Sequence, residues 1–173
     1  AQVRAGAPGA DLVLIETMSD LLEAKAALLA AKENCTLPVY VTMSFAADGR
    51  SFLGCDPRTA AVTLASLGAD AVGINCSLGQ RELLPLVREM AGCVRVPLLV
   101  QPNAGLPRIV DGSTVFDVGP EEFAELVGAL LDAGATMAGG CCGTTPEHIR
   151  ALRREMERRT AHQPAYRPCT RLT

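Results

Sequence analysis

The 173-residue chain contains no tryptophan, and only 3% of its residues are aromatic. Alanine, leucine and valine must therefore pack the core, and the 49% of hydrophobic residues is ample for one globular domain. The formal net charge of −3 lacks the positive excess of a nucleic-acid surface. No apolar run reaches the length of a membrane span. The composition thus argues against nucleic-acid-binding and membrane-spanning proteins.

The chain also lacks the dense cysteine framework of small secreted domains, because its seven cysteines are widely spread. No charged segment followed by a short apolar stretch opens the chain, as it would in a secretory signal. We therefore expect a cytoplasmic protein with reduced thiols.

The chain repeats one unit, in which a short apolar strand is followed by a polar or glycine-containing loop and an amphipathic helix. Strands that are apolar on both faces and alternate with helices predict a parallel sheet in an α/β domain. We expect one domain over residues 1–160 and a disordered tail over residues 161–173. The predicted strands cover residues 11–16, 38–45, 69–76, 96–103 and 135–140. The predicted helices cover residues 19–33, 81–91, 120–133 and 145–159, with a further helix beginning at Asp56-Pro57.

Two architectures fit this rhythm: an open doubly wound sheet and a (βα)8 TIM-type barrel. Polar residues stand at the carboxyl ends of several strands, and a barrel brings such ends to one site, whereas an open sheet concentrates its site at one switch point. This favours the barrel, although a barrel needs eight strands and we count five. The strand-end residues are Glu16, Ser44, Asn75, Cys76, Asn103, Cys141 and Cys142.

The adjacent pair Cys141-Cys142 is flanked by Gly139, Gly140 and Gly143. Neighbouring side chains of a regular strand point to opposite faces, so the pair can serve one centre only if glycine lets the backbone leave that geometry. Cys76 ends another predicted strand in a similar setting. Three thiolates with one open position are an arrangement of catalytic zinc, and we predict zinc on these three cysteines.

Other interpretations of the cysteines remain. They are small buried thiols in one, and in another Cys141 and Cys142 form a strained vicinal disulfide. In a third the glycine-rich loop before the last helix binds phosphate, which leaves the thiols unexplained. His148 falls in the first turn of that helix and is expected to be a helix residue rather than a ligand. The other four cysteines are expected to be packing or surface residues: Cys35, Cys55, Cys93 and Cys169.

Three further strand-end residues are candidates for substrate contacts. Glu16 ends an apolar strand, where a carboxylate needs a cation or donors, so it either contacts a substrate ammonium or caps the next helix. Asn75 either ties down a loop or supports the metal ligands and substrate. Asn103 lies in a Pro/Gly setting where turn chemistry is the alternative.

All-sulfur ligation has a chemical consequence. Three thiolates make a zinc centre negative, so a fourth thiolate keeps high electron density and remains nucleophilic. A histidine-rich site would be a stronger Lewis acid, suited to activating water. The predicted ligand set therefore favours thiol alkylation over hydrolysis.

Four segments together resemble the zinc-dependent homocysteine S-methyltransferase family. They are Glu16-Thr-Met-Ser-Asp20, Gly73-Ile-Asn-Cys-Ser-Leu-Gly79, Gln101-Pro-Asn-Ala-Gly105 and Gly139-Gly-Cys-Cys-Gly-Thr-Thr-Pro146. Within the family, residues 42–45 and 48–51 are most similar to the homocysteine-binding domain of cobalamin-dependent methionine synthase.

The resemblance implies a (βα)8 barrel of which this chain carries about strands four to eight, with zinc on the three cysteines. It implies that Glu16 contacts the amino group of homocysteine and that Asn103 lies near the metal as a weak ligand. It also implies methylcobalamin as the methyl donor, recharged from methyltetrahydrofolate on other domains. Betaine or S-methylmethionine is the alternative donor, and a non-catalytic zinc-binding fragment is the alternative function.

The strand count predicts open sheet edges at residues 12–16 and 135–140. Unpaired strand edges seek partners. We therefore expect the sheet to close by pairing with the N-terminal barrel strands or with a second copy.

Overall fold

The computed structural model describes residues 1–160, so the prediction of a disordered tail over residues 161–173 lies outside the described residues. Five parallel strands form the main sheet: β1 (Val13–Met18), β2 (Val39–Met43), β3 (Ala71–Asn75), β4 (Leu98–Gln101) and β7 (Met137–Ala138). A separate antiparallel hairpin pairs β5 (Arg108–Val110) with β6 (Ser113–Val115). The α-helices are α1 (Gln2–Gly6), α2 (Leu21–Asn34), α3 (Pro57–Ser66), α4 (Gln80–Ala91), α5 (Pro120–Asp132) and α6 (Pro146–Thr160), and a 3₁₀ turn covers Ala7–Gly9.

The strand order of the main sheet is the order of the chain, β1-β2-β3-β4-β7. A doubly wound sheet would reverse its order at a switch point, whereas a barrel adds each strand beside the previous one. The predicted barrel-type arrangement is therefore confirmed, with part of a barrel present. The register pairs Asn75 with Gln101, so the carboxyl ends of β3 and β4 meet at one rim.

The helices begin where local capping chemistry predicts. Asp20 precedes α2, and its side chain accepts a hydrogen bond from Leu22 N at 2.9 Å. Asp56 precedes α3 and accepts from Thr59 N at 2.8 Å, with Pro57 as the first helical residue. Each cap satisfies a backbone donor that the first helical turn leaves free.

The core lies between the helices and the centres of β2, β3 and β4. Val41, Ile74 and Val100 are fully buried there, and Leu28 of α2 and Phe123 of α5 cover the strands. Burial of each such side chain contributes about 1.5–3 kcal/mol. Among residues 1–160, no helix combines the length and apolarity that a bilayer crossing would need.

The observed strands differ from the predicted ones by one or two residues at each end. The predicted strand over residues 135–140 shrinks to Met137–Ala138, although Gly139 N still donates to Val100 O of β4 at 2.9 Å. The predicted loop before α5 contains the β5–β6 hairpin, whose turn at Asp111-Gly112 has φ of 50° and 75°. An Asp-Gly pair is a local signal for such a hairpin turn, so the sequence contained the information.

Candidate metal centre

The three predicted ligands converge at the carboxyl ends of β3 and β7. Cys76 Sγ lies 3.7 Å from Cys142 Sγ, and Cys141 Sγ lies 3.9 Å from Cys142 Sγ. All three sulfur atoms fall within 4.8 Å of one another. The side chain of Cys142 is exposed, whereas Cys76 and Cys141 are half-buried, so the cluster opens to solvent on one side.

These sulfur spacings fit a tetrahedral zinc ion. With Zn–S bonds of about 2.3 Å, two thiolates of a tetrahedron lie about 3.8 Å apart. The two measured spacings, 3.7 and 3.9 Å, bracket that value. Three soft sulfur donors also match the ligand preference of zinc. The described residues contribute three cysteines to this cluster, one ligand fewer than a closed structural site requires.

Unusual backbone conformations produce the convergence. Cys76 and the next residue, Ser77, have φ of 60° and 57°, a left-handed conformation that side chains other than glycine rarely adopt. Gly143 has φ of 79°, and a Cβ there would lie 2.3 Å from the Phe116 ring. The prediction that glycine allows the backbone to leave strand geometry therefore holds for Gly143. Cys76 adopts its left-handed conformation with strain and is not a glycine.

The thiols of Cys141 and Cys142 resist ionisation. The pKa of Cys141 is raised to about 12, mainly by burial and secondly by hydrogen bonding to Cys76. The pKa of Cys142 is also raised, mainly by hydrogen bonding to Cys76 and secondly by burial. Neighbouring thiolates repel one another, and a bound cation would compensate this repulsion.

Asn75 links the thiol cluster to β1 and β2. Its fully buried side chain donates through Nδ2 to Thr17 Oγ1 at 2.6 Å, and the same nitrogen lies 3.9 Å from Cys141 Sγ. Its Oδ1 accepts from the Thr42 hydroxyl at 2.7 Å and from Thr17 N at 3.0 Å. Thr17 also has positive φ, at 60°. Asn75 thus lies where it supports both a thiol and the backbone beside Glu16.

Asn103 supports the opposite side of the cluster. Its side chain is 3% exposed, and its Oδ1 accepts a hydrogen bond from Cys142 N at 3.0 Å. Its backbone oxygen accepts from Gln80 Nε2 at 3.1 Å. The residue lies beside the thiols, and in this structure its side-chain oxygen holds the Cys142 backbone.

Glu16 is exposed on β1, and its Oε1 accepts a hydrogen bond from Gln101 Nε2 at 2.9 Å. It does not serve as the cap of α2, which Asp20 provides. The carboxylate therefore lies at the strand-end rim, held by a residue of β4. The substrate-binding roles of Glu16, Asn75 and Asn103 stay predictions.

The residues predicted to lie outside the site do so within the described part of the chain. His148 is buried on α6, where its Nε2 lies 2.9 Å from Val118 O and its Nδ1 lies 3.2 Å from Thr145 N. Cys35, Cys55 and Cys93 each contact a backbone carbonyl through sulfur. Cys169 lies outside the described residues.

Sequence reasoning missed three residues of the site: Thr17, Thr42 and Gln101. Their partners are distant in sequence, by 58 residues for the Thr17–Asn75 bond and 85 for the Gln101–Glu16 bond. All three lie at the carboxyl end of a strand or one residue before it, but a polar residue at such a position is a weak signal.

Comparison with known proteins assigns the family. The sequence model described as homocysteine S-methyltransferase matches residues 1–156. The chain is 39% identical to methionine synthase of Mycobacterium leprae over 150 residues, which is 83% of this chain and 12% of that protein. It is 36% identical to methionine synthase of Mycobacterium tuberculosis over 168 residues, 92% of this chain and 14% of that protein. The chain therefore spans about one eighth of the length of these relatives.

Solved structures agree. The metallated form of the homocysteine methyltransferase MmuM from Escherichia coli superposes with a TM-score of 0.72 at 26% identity, covering 88% of this chain and 48% of that one. A Schiff-base-forming fructose-1,6-bisphosphate aldolase superposes with a TM-score of 0.51 at 19% identity, covering 92% of this chain and 61% of the aldolase chain. This similarity shows a common fold only. Together with the thiol cluster, the match over residues 1–156 shows that the chain belongs to the homocysteine S-methyltransferase family.

Proposed function

We propose that this chain holds zinc on Cys76, Cys141 and Cys142, binds homocysteine, and takes part in methyl transfer to its sulfur to give methionine. The observation that carries the proposal is the sulfur geometry, with spacings of 3.7 and 3.9 Å at the strand ends and one side open. Bound zinc would supply charge compensation for a substrate thiolate at its fourth position. The family membership of the chain supports the substrate class.

The residues of the chain have separable tasks in this proposal. Asn75 directs an N–H toward Cys141 Sγ from 3.9 Å, and Asn103 fixes the Cys142 backbone at 3.0 Å, so both ligands are oriented before substrate arrives. Glu16 accepts hydrogen bonds from the substrate ammonium. The homocysteine thiol gives its proton to solvent, and its sulfur forms a bond to the methyl carbon. The donor's bond to that carbon breaks, and its electron pair stays with the donor.

We propose methylcobalamin as the donor, regenerated from methyltetrahydrofolate on other domains. The similarity to two methionine synthases supports this choice, as does the small share of their length that the chain covers. A cytoplasmic location stays a prediction of the composition. Donor exchange tests the choice: methylcobalamin should support methionine formation, and activity with betaine or S-methylmethionine instead would overturn it.

Metal analysis tests the zinc site. The purified protein should hold about one zinc, and Cys142→Ala should lose most of it because two thiolates hold the ion poorly. Cys35→Ala is the matched control, since Cys35 Sγ contacts Ala31 O on α2 instead. Full zinc retention by Cys142→Ala would contradict the assignment.

Homocysteine binding tests the catalytic role against a purely structural zinc site. Homocysteine should add a fourth sulfur to the zinc, visible by X-ray absorption, and should release a proton, visible by calorimetry in buffers of different ionisation enthalpy. Glu16→Gln should weaken homocysteine binding and leave zinc in place. An unchanged zinc environment with homocysteine would favour the non-catalytic alternative.

The exposed edge of β1 is the evidence that a further strand pairs with this sheet. β1 pairs with β2 on one side, and in residues 1–160 no strand pairs with its other side. Leu12 and Leu14 are each 39% exposed there, beside a groove of about 500 Å³ that α1, β1 and α2 line. We propose that the N-terminal strands of a complete barrel, or a second copy, cover this edge. Sedimentation of the chain should show self-association, and a stable monomer with full methyltransferase activity would refute it.

A further inference from the structure

The side-chain amide of Gln101 has a hydrogen-bonded donor and an acceptor without a partner among the described residues. It is the last residue of β4, and its Nε2 donates to Glu16 Oε1 at 2.9 Å. Because the amide nitrogen must face the carboxylate, the amide oxygen points elsewhere. That atom, Gln101 Oε1, is buried and has no hydrogen-bond partner within the described part of the chain. Buried acceptors without partners are rare in folded proteins and call for an explanation.

The surroundings of Gln101 place it between Glu16 and the thiols. Its backbone oxygen accepts from Cys76 N at 3.1 Å, which ties it to one predicted zinc ligand. Its side chain lies against Gly139, where an added Cβ would stand 3.3 Å from Gln101 Cγ. Gly139 comes two residues before Cys141. Gln101 therefore links the predicted zinc ligand Cys76 to the Glu16 carboxylate.

We propose that Gln101 positions Glu16 and determines specificity for the α-ammonium group of the thiol substrate. The inference rests on the proposed function. In the complex, Gln101 Nε2 keeps the Glu16 carboxylate in place, and Gln101 Oε1 accepts one N–H of the substrate ammonium.

The chemistry of the pair explains the expected selectivity. An ammonium group carries three N–H donors, and Glu16 and Gln101 offer it one charged and one neutral acceptor. A thiol without an amino group leaves the Gln101 oxygen unpaired. The site should therefore discriminate between amino-acid thiols and their desamino analogues, independently of the zinc–sulfur bond.

Calorimetry on the zinc-loaded chain tests this with homocysteine and its desamino analogue, 4-mercaptobutanoate. Gln101→Met preserves the length of the side chain and removes both polar atoms. It should weaken homocysteine binding about 10- to 100-fold, the usual effect of losing a hydrogen bond to a charged group. Binding of 4-mercaptobutanoate and the zinc content should not change. Gln2→Met, an exposed substitution on α1, is the matched control.

A double-variant cycle separates positioning from independent effects. If Gln101 acts partly through Glu16, Gln101→Met combined with Glu16→Gln should weaken homocysteine binding by less than the product of the single effects. Equal losses for both thiols in Gln101→Met would show a general structural role and overturn the inference. Unchanged homocysteine binding would overturn it too. Wild-type protein that binds zinc and neither thiol would refute the proposed function itself.

Discussion

The centres of the strands and their carboxyl ends follow opposite rules. At the centres, Val41, Ile74 and Val100 are apolar and fully buried in regular β geometry. At the ends, Asn75 and Asn103 are just as inaccessible but polar, at 0% and 3% exposure. The centres gain stability by removing apolar surface from water, whereas the ends accept the cost of burying polar groups.

Backbone geometry shows the same contrast. Thr17, Cys76 and Ser77 adopt positive φ, and all three lie at or just beyond strand ends. Conformations of this kind cost about 1–3 kcal/mol each and persist only where the surroundings hold them. The sheet therefore supports a site which by itself lowers stability, and four measurements test this contrast between strand centres and strand ends.

Truncation at a strand centre should have the largest effect on folding. Ile74→Ala should lower the free energy of unfolding by about 2–5 kcal/mol, because it removes buried methylene groups and leaves a cavity. Urea denaturation with a chelator present measures this without a contribution from zinc. Leu22→Ala, at a side chain that is 72% exposed, should change the value by less than about 0.5 kcal/mol. Equal losses would remove the distinction between core and surface.

Truncation of Asn75, the residue after Ile74, should weaken the site as well as the fold. Asn75→Ala leaves Thr17 N and the Thr42 hydroxyl without their partner, at a cost of about 1–3 kcal/mol. Zinc affinity should also fall about 10- to 100-fold, as for other residues that orient metal ligands. Competition with a chromophoric chelator measures the affinity, with Asn34→Ala on α2 as control. Unchanged zinc affinity in Asn75→Ala would limit that residue to a structural role.

Relief of strain beside the site should raise stability. Ser77 is exposed with φ of 57°, and glycine adopts that conformation without steric cost. Ser77→Gly should therefore increase the free energy of unfolding by about 0.5–1 kcal/mol. Ala129→Gly, at an exposed position inside α5, should lower it by about 1 kcal/mol. Thermal melts compare the two, and a loss at both positions would show that Ser77 is not strained.

The smallest effect should come from a charge away from the site. The pKa of Asp70 is lowered by two hydrogen bonds to its Oδ2. The larger effect comes from the Lys32 ammonium at 2.6 Å and the smaller from Val39 N at 2.7 Å. Because the pKa in the folded state lies below the unfolded value of about 3.9, this stabilisation is present above about pH 4 and is lost as pH falls through the folded pKa. Asp70→Asn should cost about 0.2–0.5 kcal/mol at neutral pH, since the ion pair is partly exposed and screened by water. Urea midpoints at pH 7 and pH 3 should then differ less for the variant than for the wild type.

Local sequence signals predicted much of this structure. The five strands, the start of α3 at Asp56-Pro57 and the meeting of Cys76 with Cys141 and Cys142 all followed from apolar runs, capping residues and glycine spacing. These features depend on residues that are close in the chain or on the common rule that parallel strand ends share a rim.

The remaining site contacts could not be predicted in the same way. The Asn75–Thr42 bond joins residues 33 positions apart, and the Gln101–Glu16 bond joins residues 85 positions apart. No local pattern encodes which of several polar strand-end residues will face one another. The shortening of β7 also escaped prediction, because Gly139 and Gly140 fit a strand as readily as a loop.

Local patterns were enough to predict the α/β class, the parallel strands, the clustering of three cysteines and the family to which the chain belongs, because periodicity, capping and the Gly-Gly-Cys-Cys motif can be read from neighbouring residues. Only the tertiary structure decided the spacing of the thiols, the strained turn at Cys76 and the buried acceptor on Gln101. Those properties depend on the register and packing of separate strands. They therefore exist only when distant parts of the chain are brought together.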